Sequence, residues 1–108
     1  MKKIAIIGAG ISGLFIANLF KKNSNYQITV YEKSLSIDLD EGYGIQLSVN
    51  SVKLLNQIGF DKFKNDQKFN PDKINFYSIE SSNKICDLNI SDYNSANCKY
   101  TTLKRSEL

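Results

Sequence analysis

Three glycines, Gly8, Gly10 and Gly13, stand at G-x-G-x-x-G spacing directly after the apolar run Ile4-Ala5-Ile6-Ile7. An acid, Glu32, follows about 20 residues further on, at the end of a second apolar run, Ile28-Thr29-Val30-Tyr31. These residue types at this spacing could hold a pyrophosphate and the sugar beside it. Gly8 can adopt backbone angles closed to other residues, Gly10 lets an anion approach the main chain, and Gly13 lets a helix pack close to a strand. Ala9, Ile11 and Ser12 complete the turn, where a helix N-terminus offers unpaired amides and the positive end of its dipole to phosphate. Glu32 can accept hydrogen bonds from both hydroxyls of a ribose, and its charge disfavours a 2′-phosphate. The chemistry is recognition of the ADP half of FAD or NAD in preference to NADP; this fingerprint does not separate FAD from NAD. The bland alternative is a tight strand–helix turn without a ligand and a surface glutamate.

Other candidate chemistry is sparse. Arginine occurs once, at Arg105, among many lysines, which makes it a candidate for a planar, bidentate contact. With no histidine, and with Cys86 and Cys98 far apart, a zinc site is not expected. The net charge of +3 is spread along the chain without a basic block, which argues against nucleic acid as a partner. No stretch reaches the ~20 apolar residues of a membrane span, and Lys2-Lys3 lead into no signal-peptide pattern. The expectation is a cytoplasmic protein with reduced thiols, its cysteines serving as small apolar fillers.

The elements that must position these residues follow from periodicity. At 108 residues with 42% hydrophobic content, the chain is one globular domain at most. A strand is expected over Lys3–Ile7, covered on both faces as in a parallel sheet. A helix follows over Ile11–Lys22, its apolar face (Ile11, Leu14, Phe15, Leu19) on the sheet, then a strand over Gln27–Glu32. Ser34–Gly44 reads as a loop, Gly44–Leu47 as a short extended piece, and Leu54, Leu55 and Ile58 as the face of a second helix ended by Gly59. Phe60, Phe63 and Phe69 are expected anchors of the polar segment that follows. Ile74–Ile79 and Lys84–Leu88 form an antiparallel hairpin, Lys99–Leu103 is extended, and Ser106-Glu107-Leu108 opens a helix. The fold class is α/β: a Rossmann-like βαβ unit with a glycine-rich turn, plus a small antiparallel hairpin.

Three blocks in order carry a resemblance. Gly8-Ala9-Gly10-Ile11-Ser12-Gly13-Leu14 with Tyr31-Glu32-Lys33 is the first. Gly42-Tyr43-Gly44-Ile45-Gln46-Leu47-Ser48-Val49-Asn50 before a helix ending Ile58-Gly59-Phe60 is the second. Leu103-Lys104-Arg105-Ser106-Glu107-Leu108 is the third. Together they resemble the N-terminal part of the FAD-dependent aromatic-ring hydroxylases, single-component flavoprotein monooxygenases similar to p-hydroxybenzoate and salicylate hydroxylases. The resemblance spans essentially the whole chain and implies FAD as cofactor, with NAD(P)H and a small organic substrate as partners of a complete enzyme. It implies that Gly8, Gly10 and Gly13 line the pyrophosphate and that Glu32 binds the adenosine ribose with Lys33 beside it. Gly44 and Gln46 would approach the flavin side, and Arg105 would contact FAD near ribose and diphosphate. Val49 stands where that family commonly has proline, and the family's later Gly-Asp block and substrate-covering sheet have no counterpart here. The expectation is a partial FAD-binding domain over residues 1–108, truncated at its C-terminus, with no catalytic residue of its own and with open strand edges that invite a partner chain or self-association. Two alternatives stay open: a non-catalytic or degenerate nucleotide-binding module, and a truncated NAD-dependent dehydrogenase domain.

Overall fold

The computed structural model describes residues 1–37 and 42–108, so residues 38–41 of the expected Ser34–Gly44 loop lie outside the described residues. Strand β1 (Lys2–Ile7) and strand β2 (Tyr26–Tyr31) pair in parallel, Ile4 opposite Ile28 and Ile6 opposite Val30. Helix α1 (Ile11–Lys21) makes the crossover between them. Its first backbone bond runs from the Leu14 N–H to the Gly10 carbonyl at 2.9 Å, and Lys21 stands in its last turn, where the dipole favours a cation.

This βαβ unit is covered on one side only. Ile4 and Ile6 are half-buried beneath α1, whereas Ala5 is exposed and Ile7 is 82% exposed. The expectation of a strand covered on both faces is thereby corrected: among the described residues, α1 is the one helix packed on this two-stranded sheet. The helix in turn finds a narrow surface. Phe15 and Leu19 are half-buried, Leu14 and Ile16 remain exposed, and no residue of α1 is fully buried.

The core lies elsewhere. Strand β3 (Gly44–Leu47) pairs antiparallel with a strand near the far end of the chain, here called β6 (Thr101–Lys104), Ile45 opposite Leu103. Helix α2 (Val49–Asn56) packs beside this ribbon, and Gly59 follows with φ +102°. Leu47, Val52, Leu55, Phe60 and Leu103 form the buried cluster, with Phe15, Ile58, Cys98 and Leu108 packed against it. Phe60 and Phe63 stack at 6.0 Å, and the Lys68 ammonium lies 4.3 Å from the Phe60 ring centre and donates to the Phe60 carbonyl. Phe69 departs from expectation: its side chain is exposed, and it anchors through its backbone, exchanging two hydrogen bonds with Thr102 on the other edge of β6.

Strands β4 (Lys73–Tyr77) and β5 (Lys84–Asn89) form the expected hairpin, with a register shift at Phe76/Tyr77 and Ser82 at φ 57° in the turn. Every residue of β5 is exposed, so Cys86 is not a core filler, whereas Cys98 packs against the core as expected. The long dimension of 58 Å and the radius of gyration of 17.5 Å reflect this spread of pieces. A compact domain of ~100 residues has a radius of gyration near ~13 Å.

Candidate functional site

The glycine turn leaves β1 and enters α1 within three residues, and the parallel ladder continues into it through the Gly8 N–H donating to the Tyr31 carbonyl at 2.7 Å. Gly8 takes φ +101°, a conformation side-chain-bearing residues rarely adopt. A Cβ on Gly13 would lie 2.0 Å from the Gly8 carbonyl oxygen, so the glycine is what lets helix and strand meet this closely. A Cβ on Gly10 would meet nothing within 4 Å. Gly10 is also the N-cap of α1, without a side-chain capping bond and without an acid in the first turn. Among the described residues, then, no side chain caps this helix end and the space beside Gly10 is open, an arrangement that suits an anion.

Glu32 follows directly after β2. One carboxylate oxygen accepts the Ala9 N–H at 2.7 Å and the other accepts the Ser34 N–H at 2.9 Å. These two backbone donors, Ala9 foremost, hold its carboxyl below the usual carboxylate range. The acid expected to read a ribose thus also touches the turn expected to hold the phosphates, a contact that spacing alone does not reveal.

Arg105 reaches the same place from the other end of the chain. A cleft of about 150 Å³ is lined by Ala9, Gly10 and Leu14 on one side and by Leu55, Ile58 and Arg105 on the other. The Arg105 side chain packs over Gly42: a Cβ there would stand 3.1 Å from the Arg105 Cδ, and Gly42 takes φ +120°. The Arg105 N–H donates to the Tyr43 carbonyl at 3.1 Å, extending the β3–β6 ribbon to the cleft. Sequence reasoning assigns Gly42 no role, and the structure places it under the Arg105 side chain; a glycine flanking an aromatic in the second block is the signal that marks it.

The remaining predicted residues are not drawn together in the same way. Lys33 is exposed beside Glu32, Gly44 opens β3 opposite Lys104, and Gln46 accepts the Tyr100 hydroxyl at 2.8 Å on the exposed side of the ribbon. None of these three lines the cleft. Among the described residues no cluster of histidine, cysteine or acidic side chains could hold a metal ion, and no helix is long and apolar enough to cross a membrane.

The chain is similar to several known proteins. Residues 6–37 match the NAD(P)-binding Rossmann-like domain. Two 3-amino-4-hydroxybenzoate 2-monooxygenases of Streptomyces platensis, PtnB3 and PtmB3, are 40% and 39% identical to the chain over 57 residues, covering 53% of it. The chain spans only 14% of the length of either relative. Among solved structures, Klebsiella pneumoniae HpxO complexed with FAD and uric acid superposes on 97% of the chain with a TM-score of 0.74 at 22% identity, using 26% of the HpxO chain. The 2,6-dihydroxypyridine-3-hydroxylase of Arthrobacter nicotinovorans superposes on 97% with a TM-score of 0.65 at 18% identity, using 24% of that chain. Residues 6–37 thus match an NAD(P)-binding Rossmann-like domain, and the chain is homologous over half its length to monooxygenases and has the fold of about a quarter of two hydroxylases.

Proposed function

We propose that this chain is the FAD-binding portion of a flavin-dependent monooxygenase. The observation that carries the reading is the convergence of the glycine turn and Arg105, from opposite ends of the chain, on one cleft. The turn suits the group: a helix end that no described side chain caps, open space at Gly10, and an ionised acid beside them. In this reading the turn from Gly8 to Gly13 (with Ala9, Ile11 and Ser12 contributing backbone) binds the pyrophosphate, and Glu32 binds the adenosine ribose with Lys33 at its side. Arg105 contacts ribose and diphosphate, while Gly44 and Gln46 serve the flavin half. FAD, when bound, supplies the oxidation–reduction chemistry, which a complete enzyme would run with NAD(P)H and O₂ on a small organic substrate. This chain's own residues bind and orient; we assign it no catalytic residue. The free cysteines support a cytoplasmic setting.

A second reading is a nucleotide-binding module without turnover of its own. Both readings expect weak binding of the isolated chain, and calorimetric titration with FAD, ADP and NAD tests them. The expected result is FAD binding in the micromolar to millimolar range, displaced by ADP. Failure of all three ligands to bind at millimolar concentration would remove the nucleotide site altogether.

A further inference from the structure

The parallel ladder between β1 and β2 ends where Tyr31 accepts the Gly8 N–H at 2.7 Å. Beyond that rung each backbone leaves the sheet: β1 turns into α1, and β2 ends at Tyr31. At that point the Glu32 side chain takes over the role of the next rung. Its carboxylate spans the gap, accepting the Ala9 N–H at 2.7 Å and the Ser34 N–H at 2.9 Å. The turn it grips has little slack, because Gly13 sits so close to the Gly8 carbonyl that a methyl group there would lie 2.0 Å from the oxygen. The helix, the turn and the exit of β2 are therefore tied at one carboxylate.

We propose that Glu32 is a positioning residue for the pyrophosphate as well as a ligand of the ribose: its carboxylate holds the Ala9 amide, and with it the turn, in the geometry that receives the phosphates. This rests on the nucleotide-binding reading above and goes beyond it in assigning Glu32 a role toward a ligand that has no ribose. The two roles predict opposite signs for one measurement. If Glu32 only reads the ribose, removing its negative charge from beside an anion site strengthens binding of a bare phosphate ligand, and frees the Ala9 N–H as an additional donor. If Glu32 holds the turn, removing the carboxylate loosens the amides that must converge on the anion, and binding weakens in spite of the more favourable charge.

The test is competition of inorganic pyrophosphate and of ADP against FAD on the full chain, as the natural sequence and as Glu32→Gln and Glu32→Ala, with circular dichroism melting curves for each. Glu32→Gln keeps one acceptor oxygen and loses the charge, so it separates charge from tether if Glu32→Ala fails to fold. The expected result is pyrophosphate affinity lowered about three- to tenfold in Glu32→Ala and by less in Glu32→Gln, with ADP affinity falling further in both because the ribose contact is also lost. Hydrogen exchange at the Ala9 amide should accelerate in parallel in Glu32→Gln. Unchanged or tighter pyrophosphate binding in the variants, with ADP binding weakened, overturns the positioning role and leaves the nucleotide-binding reading standing. Absence of both pyrophosphate and ADP binding in the natural chain overturns both.

Discussion

Two alanine substitutions three residues apart in the glycine turn should both weaken nucleotide binding yet differ in their cost to stability, and the difference can be worked from the coordinates. In Gly13→Ala the new methyl lies 2.0 Å from the Gly8 carbonyl oxygen, 3.1 Å from its carbon and 3.4 Å from the Ile6 Cγ2. Ordinary contact begins near 3.4 Å, and the atoms opposed are main chain on one side and helix on the other, so no rotamer change relieves the clash. Overpacking of this kind costs about 3 kcal/mol at the upper end of its usual range, while alanine in place of glycine inside a helix returns about 1 kcal/mol. The net expectation is a loss of about 2 kcal/mol, with α1 displaced from β1 and nucleotide binding lost as well. In Gly10→Ala the methyl meets nothing within 4 Å, and the backbone there, φ −72° and ψ 178°, suits alanine. Its stability should change by less than about 1 kcal/mol, the cost of a poorer N-cap. Binding of ADP should nevertheless fall steeply, because the methyl occupies the space through which a phosphate reaches the main chain. Urea denaturation followed by circular dichroism, paired with calorimetric ADP titration, measures both quantities on both variants. A Gly13→Ala chain as stable as the natural one, or a Gly10→Ala chain that binds ADP unchanged, would refute the packing and phosphate arguments respectively.

Three further expectations follow from the same contacts. Because backbone donors hold the Glu32 carboxyl below its ordinary value of 4.5 in the folded chain, its contribution to stability is fully present above the unfolded value and is lost as pH falls through the folded one. A pH series of melting curves should therefore show the natural chain's advantage over Glu32→Gln shrinking progressively as the pH falls below about 4.5, and an advantage that does not shrink contradicts the assignment. Arg105→Lys keeps the charge but not the planar fork, so FAD affinity should fall about tenfold; equal affinity removes Arg105 from the site. Leu103→Ala, in the centre of a small buried cluster at 5% exposure, should cost 2–5 kcal/mol, on the order expected for leucine truncation, and a cost under ~1 kcal/mol in urea denaturation would show that this cluster is not the core.

The sequence revealed the local elements and concealed how they are covered. The βαβ unit was legible because glycine spacing, helical periodicity and a terminal acid are local signals. The hairpin was legible because β-prone runs flank a serine–asparagine turn. The pairing of β3 with β6 was not, since it joins segments more than half the chain apart and depends on cross-strand partners such as Ile45 and Leu103. That pairing explains why the core formed around α2 rather than under α1. Ile7 and Cys86 are exposed for a different reason: their apolar character suggests interiors that no element among the described residues supplies. At the site, the glycine roles could be argued from residue type. The Glu32–Ala9 bond and the packing of Arg105 over Gly42 could not, because each is a contact between side chain and distant backbone that has no periodic signature.

The central claim is that the turn from Gly8 to Gly13 receives the phosphates of a nucleotide. Titration of the isotopically labelled chain with ADP, followed by amide chemical shifts, tests it most directly. The account predicts the largest changes at Gly8–Gly13, at Glu32 and Ser34, and at Arg105, saturating together on one binding curve and reproduced by FAD. Shifts confined to the β4–β5 hairpin, or a turn that remains unmoved at millimolar ADP, would contradict it.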